Sequence, residues 1–165
     1  MVGLSLISMP SATLLFSKAD DGGYMAGRVW GLIVIGFWVW WLAFGIAPFK
    51  LGTIAVVTIL WLLVNLGLGY RKWKELKTIW SKTWIAAIRA ELLFGFGFIL
   101  WVSVRMLKPE INGLEKFMDY GFMNAIGRSE YFPPADMWQA GKSINYYYFG
   151  HYLSALMVKI TGVRP

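Results

Sequence analysis

The sequence has no cysteine, which excludes a disulfide framework and any thiolate metal site. Acid is scarce as well: nine Asp and Glu face sixteen Lys and Arg, a net charge of +7. Nowhere does the chain alternate apolar and polar residues in the manner of a membrane β-barrel. Its amino terminus is apolar but lacks the basic start of a secretory signal peptide. What remains is apolar. Hydrophobic residues make up 58% of the chain and include 10 Trp, where a soluble domain holds about 45–50%.

The excess is gathered in blocks. Val29–Phe49 and Leu51–Tyr70 carry no charged residue, and each is long enough to cross a hydrocarbon core of roughly 30 Å as a helix. Inside lipid every backbone N–H and C=O must be satisfied within the segment, so such runs become helices. The pattern predicts an all-α, polytopic membrane bundle of about five spans. Met1–Ser17 is a short first span. Lys18–Arg28 is a loop marked by the turn signal Asp20-Asp21-Gly22-Gly23. Span two covers Val29–Ala47, Pro48-Phe49-Lys50 is a tight reversal, and span three is Gly52–Tyr70. Span four runs from about Ile85 to Leu107, and span five from Tyr146 into Thr161. The whole chain, 1–165, reads as one transmembrane domain, the amino-terminal part of a longer protein.

Between spans three and four, Arg71, Lys72, Lys74, Lys77 and Lys82 oppose only Glu75, a net +4. A basic, tryptophan-dotted stretch can signal nucleic acid, but flanking apolar spans assign it instead to anionic headgroups, with Trp73, Trp80 and Trp84 as interfacial anchors. By the positive-inside rule segment 71–84 is cytoplasmic, together with loop 18–28. Loop 108–145 is then outside, and Lys159 and Arg164 return inside. Span four also carries Arg89, Glu91 and Arg105. Charges in a span face the bundle interior or snorkel. Glu91 and Arg89 either pair or reach the cytoplasmic surface, and Arg105 and Lys108 sit at the outer end as possible anchors.

Five of the nine acids lie in loop 108–145: Glu110, Glu115, Asp119, Glu130 and Asp136. Within it Leu114, Phe117, Met118, Gly121, Phe122 and Ala125 recur at helical spacing, which predicts an amphipathic helix along the outer membrane surface. Glu115 and Asp119 share its other face, where like charges repel by a few tenths of a kcal/mol. They are either plain solvated residues or a pair with a cation or substrate between them. Pro133-Pro134 ends the helical region, and Ala135–Gly141 reads as a turn-rich loop. Asn145-Tyr146-Tyr147-Tyr148-Phe149-Gly150-His151-Tyr152 is the most unusual run. An aromatic belt needs one helix face, whereas three consecutive tyrosines cover about 200° of a helix, so at least one faces the bundle or the loop. Their hydroxyls suit phosphate or sugar. The chain's single histidine, His151, is by itself more often structural than a ligand.

These residues resemble the Chlor_Arch_YYY membrane proteins, a family named for three tyrosines. The matching text is Glu91-Leu92-Leu93-Phe94, Arg105, Pro109, Glu115-Lys116-Phe117-Met118-Asp119, Arg128-Ser129-Glu130-Tyr131-Phe132-Pro133-Pro134 and Asn145-Tyr146-Tyr147-Tyr148-Phe149-Gly150. It departs at Met137, where the family pattern has proline. The loop is also similar to the first outer loop of GT-C glycosyltransferases, which use polyprenyl-phosphate sugars. Asp119, Ala125, Arg128, Tyr131-Phe132-Pro133, Gly141 and Tyr146 follow the order of that loop, although here it comes after the fourth span rather than the first.

This second resemblance implies sugar transfer from a lipid phosphate to a hydroxyl on the outer face. Asp119 would be the base, or a ligand to a divalent cation such as Mg²⁺ or Mn²⁺, with Glu115 in support. Lys116, Arg128 or Arg105 would hold the phosphate. Asn145, Tyr146, Tyr147 and Tyr148 would line the pocket mouth, with His151 beside them. The alternative is a non-catalytic transporter or assembly subunit whose outer loop binds a lipid or a partner. Spans two and three offer only Asn65 and small residues as polar groups, which disfavours transport.

Overall fold

The computed structural model of the chain describes residues 2–110 and 114–163. Among them are six helices: α1 Val2–Leu15, α2 Tyr24–Leu42, α3 Leu51–Arg71, α4 Trp73–Met106, α5 Leu114–Arg128 and α6 Phe149–Thr161. No strand forms among the described residues, only one antiparallel bridge pairing Ala135 with Ser143. Three helices, α2, α3 and α4, are long and apolar enough to cross a membrane by length and composition. With 14 and 13 residues, α1 and α6 reach only about 20 Å each.

Two boundaries differ from the sequence pattern. The basic segment is no loop. It forms the first turns of a 34-residue α4, and Lys72 alone separates that helix from α3. Residues 73–94 contain neither Pro nor Gly and are rich in Lys, Leu, Ala and Glu, so the charges that mark the end of the apolar run do nothing to stop a helix. At the other end, the tyrosine run precedes α6 instead of opening it.

The chain divides into two compact units, one of residues 1–32 and 59–110, the other of 33–58 and 111–165. Helices α2 and α3 contribute to both.

In the first unit α1 is packed inside out. Ser5, Ser8, Ser11 and Thr13 are buried, while Val2, Leu6 and Leu15 face outward. Three indole N–H groups close on the buried hydroxyls. Trp30 donates to Ser11 Oγ (3.2 Å), Trp61 to Ser8 Oγ (2.9 Å) and Trp80 to Thr13 Oγ1 (2.9 Å). Pro10 interrupts the backbone ladder, and Ser11 N–H finds Asn65 Oδ1 at 3.0 Å. Arg28 is 3% exposed. Its guanidinium donates to Ser5 Oγ (3.2 Å), pairs with Glu91 and lies 4.4 Å from the centroid of Phe94. Glu91 therefore pairs across helices; Arg89, two residues away on the same helix, points elsewhere, as i,i+2 geometry requires. The Asp20–Gly23 turn forms as predicted, with φ of +63° and +82° at its two glycines.

The second unit has an aromatic core. Phe49, Phe132 and Tyr152 are buried, with ring centroids 5.3–5.5 Å apart. Tyr152 donates its hydroxyl to the Gly36 carbonyl at 2.8 Å. Main-chain bonds from Phe49 N–H to Glu130 O (2.6 Å) and from Phe132 N–H to Ala43 O (2.9 Å) lace the 129–134 segment to the α2–α3 turn. An exposed Lys50–Glu130 pair at 2.7 Å lies beside them.

Candidate functional site

The amphipathic helix expected in loop 108–145 is α5. Its inward stripe is Phe122, Ala125 and Ile126, while Phe117 faces outward and the Leu114 side chain lies outside the described residues. The helix stops at Arg128, five residues before Pro133, and Ser129 N–H still bonds back to Ala125 O and Ile126 O.

On this helix Asp119 meets α6. His151 Nε2 lies 2.8 Å from Asp119 Oδ1. An ionised carboxylate can only accept, so the Nε2–H donates and the ring's other nitrogen is left over. That atom, Nδ1, is buried and has no partner among the described residues. The histidine side chain is 19% exposed and that of Asp119 51%, so the pair has one dry side and one wet side.

Phe122, one turn after Asp119, is the hub of an aromatic cluster. Its ring meets His151 at 5.3 Å, Trp138 at 5.6 Å and Tyr146 at 5.7 Å. Asp136 positions Trp138 by accepting from the N–H groups of Trp138 (2.7 Å) and Gln139 (3.0 Å). Met137 lies against Gly121, its sulfur over the place a Cβ would occupy. Thus the residue that departs from the resembled pattern packs over a glycine, and a side chain there would have to displace the methionine tip.

The three tyrosines are divided among three tasks, which corrects the reading of one helical surface. Tyr148 is the N-cap of α6, and its hydroxyl accepts from Trp40 Nε1 at 3.3 Å. Tyr146 and Tyr147 precede the helix, stacked with centroids 4.0 Å apart, and Tyr146 donates its hydroxyl to that of Tyr147 at 2.9 Å. The Tyr146 phenol is held above its ordinary value, first by that donated bond and to a lesser extent by the carboxylates of Asp119 and Glu115. Tyr147 is 81% exposed.

The remaining expected residues scatter. Glu115 and Lys116 stand exposed in the first turn of α5, and Asn145 is exposed before the tyrosines. Arg128 lines a cavity of about 340 Å³ with Ser129, Ala135 and Asp136. Arg105 belongs to the other unit and closes the end of α4, donating to the carbonyls of Lys108, Pro109 (3.3 Å) and Glu110 (3.1 Å). Among the described residues no group of three or more His, Asp or Glu side chains converges as a metal cage. Sequence reasoning missed Trp138 and the Asp119–His151 contact. An Asx-turn signal at Asp136 was available for the first, whereas the second joins residues 32 positions apart and had no local signal.

No curated protein and no solved structure matches the chain. Residues 34–165, which include every residue of the Asp119 cluster, match the model of the family described as Uncharacterized membrane protein (DUF2298), and the chain belongs to that family.

Proposed function

We propose that this chain is the amino-terminal transmembrane part of a GT-C-like glycosyltransferase, which moves a sugar from a polyprenyl phosphate to an acceptor hydroxyl at the outer membrane face. In this reading loop 108–145 is outside and segment 71–84 is cytoplasmic. The observation that carries it is the Asp119–His151 pair, a carboxylate oriented by a mostly buried imidazole beside exposed aromatic rings. Its order along the loop, with Arg128, the Phe132-Pro133 element, Gly141 and Tyr146 following Asp119, supports the same reading.

Transfer requires the acceptor oxygen to attack the anomeric carbon as the bond from that carbon to the phosphate oxygen breaks. The departing phosphate takes the bonding pair, and the acceptor proton passes to a base. Asp119 has the chemistry for that base. His151 occupies Oδ1 and leaves Oδ2 for the acceptor hydroxyl, and Glu115, four residues earlier, adds negative potential. Lys116 and Arg128 are the loop cations for the phosphate, Arg128 from the wall of a cavity with Ser129. The stacked Tyr146–Tyr147 pair and Trp138 offer flat faces for a sugar ring. Mg²⁺ is commonly held by one or two carboxylates together with substrate phosphates, and Asp119 Oδ2 suits that role; no step here depends on it.

The test uses the full-length protein in membranes supplied with labelled polyprenyl-phosphate hexoses. Asp119→Asn is expected to lower transfer by about 10²–10⁴-fold with insertion unchanged, the range for a lost acid–base group. Transfer at the unaltered rate would remove Asp119 from the mechanism.

A further inference from the structure

The first unit holds a second cavity, of about 330 Å³, lined by Leu6 and Met9 of α1, Tyr24 of α2 and Trp80, Trp84 and Ile88 of α4. Asp21 and Glu91 also border it, yet both carboxylates are turned to internal partners. Asp21 accepts from the N–H groups of Gly23 (3.0 Å) and Met25 (2.8 Å), and Glu91 pairs with Arg28. The groove therefore presents hydrocarbon. Along α4 its lining recurs at 80, 83, 84, 87, 88, 91 and 92, one continuous stripe about 18 Å long. That length is comparable to the hydrocarbon half-thickness of a bilayer, about 15 Å. Trp84, Ile88 and Leu92 are exposed, so the stripe opens sideways.

One turn before Trp80 the same stripe turns basic. Lys77 and Lys74 precede it at helical spacing, both exposed, inside the +4 segment of residues 71–82. An apolar groove in a candidate membrane helix that ends in lysines is matched to an amphiphile with an apolar tail and an anionic head. We infer that this groove seats one acyl chain of an anionic glycerophospholipid, its phosphate held by Lys77 and Lys74. Tail length sets the fit and charge sets the choice of lipid. Each lysine near a headgroup favours the anionic lipid about five-fold. The site lies in the unit that does not contain Asp119, so it stands or falls apart from sugar transfer.

The test reconstitutes the full chain in phosphatidylcholine vesicles doped with photoreactive phosphatidylglycerol or, separately, photoreactive phosphatidylcholine, and maps adducts by mass spectrometry. Phosphatidylglycerol is expected to label residues 80–92 at least five-fold more than phosphatidylcholine. Lys74→Gln with Lys77→Gln, two exposed changes that leave packing intact, should abolish that preference. Ala87→Trp, which fills the groove, should suppress labelling by both lipids there, while Leu93→Trp, off the stripe, should not. Equal labelling by the two lipids in the unaltered chain would overturn the inference. So would an absence of lipid adducts at 80–92, the result if another polypeptide covers the groove.

Discussion

The two units bury opposite kinds of residue. Among the described residues, the buried polar or charged side chains Ser5, Ser8, Ser11, Thr13, Arg28 and Asn65 all belong to the first, which buries Ala12 and Leu76 as its hydrophobics. The second buries Phe49, Phe122, Phe132, Tyr152 and a set of aliphatic side chains. A helix gains nothing by hiding leucine from lipid, so association there rests on hydrogen bonds and close packing, and polar groups collect between the helices. The second unit instead clusters aromatic rings at 5.3–5.5 Å around Phe49, Phe132 and Tyr152, where burial of apolar surface drives packing. One chain thus builds two kinds of core, and the candidate site lies in the unit with the aromatic one.

The largest test of this contrast removes the buried cation Arg28. Arg28→Met leaves the Glu91 carboxylate, 37% exposed, without its partner, so the loss should fall in the lower part of the about 3–5 kcal/mol that breaking a fully buried pair costs. Unfolding in a graded detergent denaturant should reveal a loss near that size, with Arg28→Met/Glu91→Gln recovering much of it. If the single variant were as stable as the parent, the pair would be a surface contact and the inside-out description of this unit would fail.

A somewhat smaller effect is expected in the second unit. Phe132 packs on Phe49 and Tyr152 and is 7% exposed, so Phe132→Ala should cost about 3 kcal/mol through the cavity it leaves. Because Phe132 N–H also ties this segment to Ala43 O, the same variant should raise hydrogen exchange at residues 129–132 and leave α1 unchanged. Exchange that rose equally in α1 would mean the two cores are not independent.

How far the fold could be read beforehand follows the same division. The apolar runs marked α2, α3 and the second half of α4, because length and hydropathy decide a membrane helix. They were silent on α1's inner face. Serines spaced by three barely disturb hydropathy, yet in lipid they become the packing surface. The charges of residues 71–84 predicted a loop, though nothing there breaks a helix. In the loop the amphipathic pattern located α5, but Asp119 was grouped with Glu115, its helical neighbour, and not with His151. Local spacing reaches one turn; a contact across 32 residues depends on how α5 and α6 pack. For want of a stop signal the pattern carries the tyrosines into a helix, whereas the turn before Phe149 sets their actual places.

The smallest effect is the sharpest probe of the first unit's solvent. Ser8→Ala removes the acceptor of the Trp61 indole, whose N–H then has no partner in a half-buried seam. In water an orphaned buried donor costs about 1–3 kcal/mol. Between membrane helices the measured average per hydrogen bond is nearer about 0.6 kcal/mol, because the separated helices find other partners in the bilayer. The change is expected to fall near the lower figure in lipid bicelles, with Trp61 emission shifted by the altered indole environment. A loss at the upper end would place this seam under aqueous rules and erase the difference between the two units.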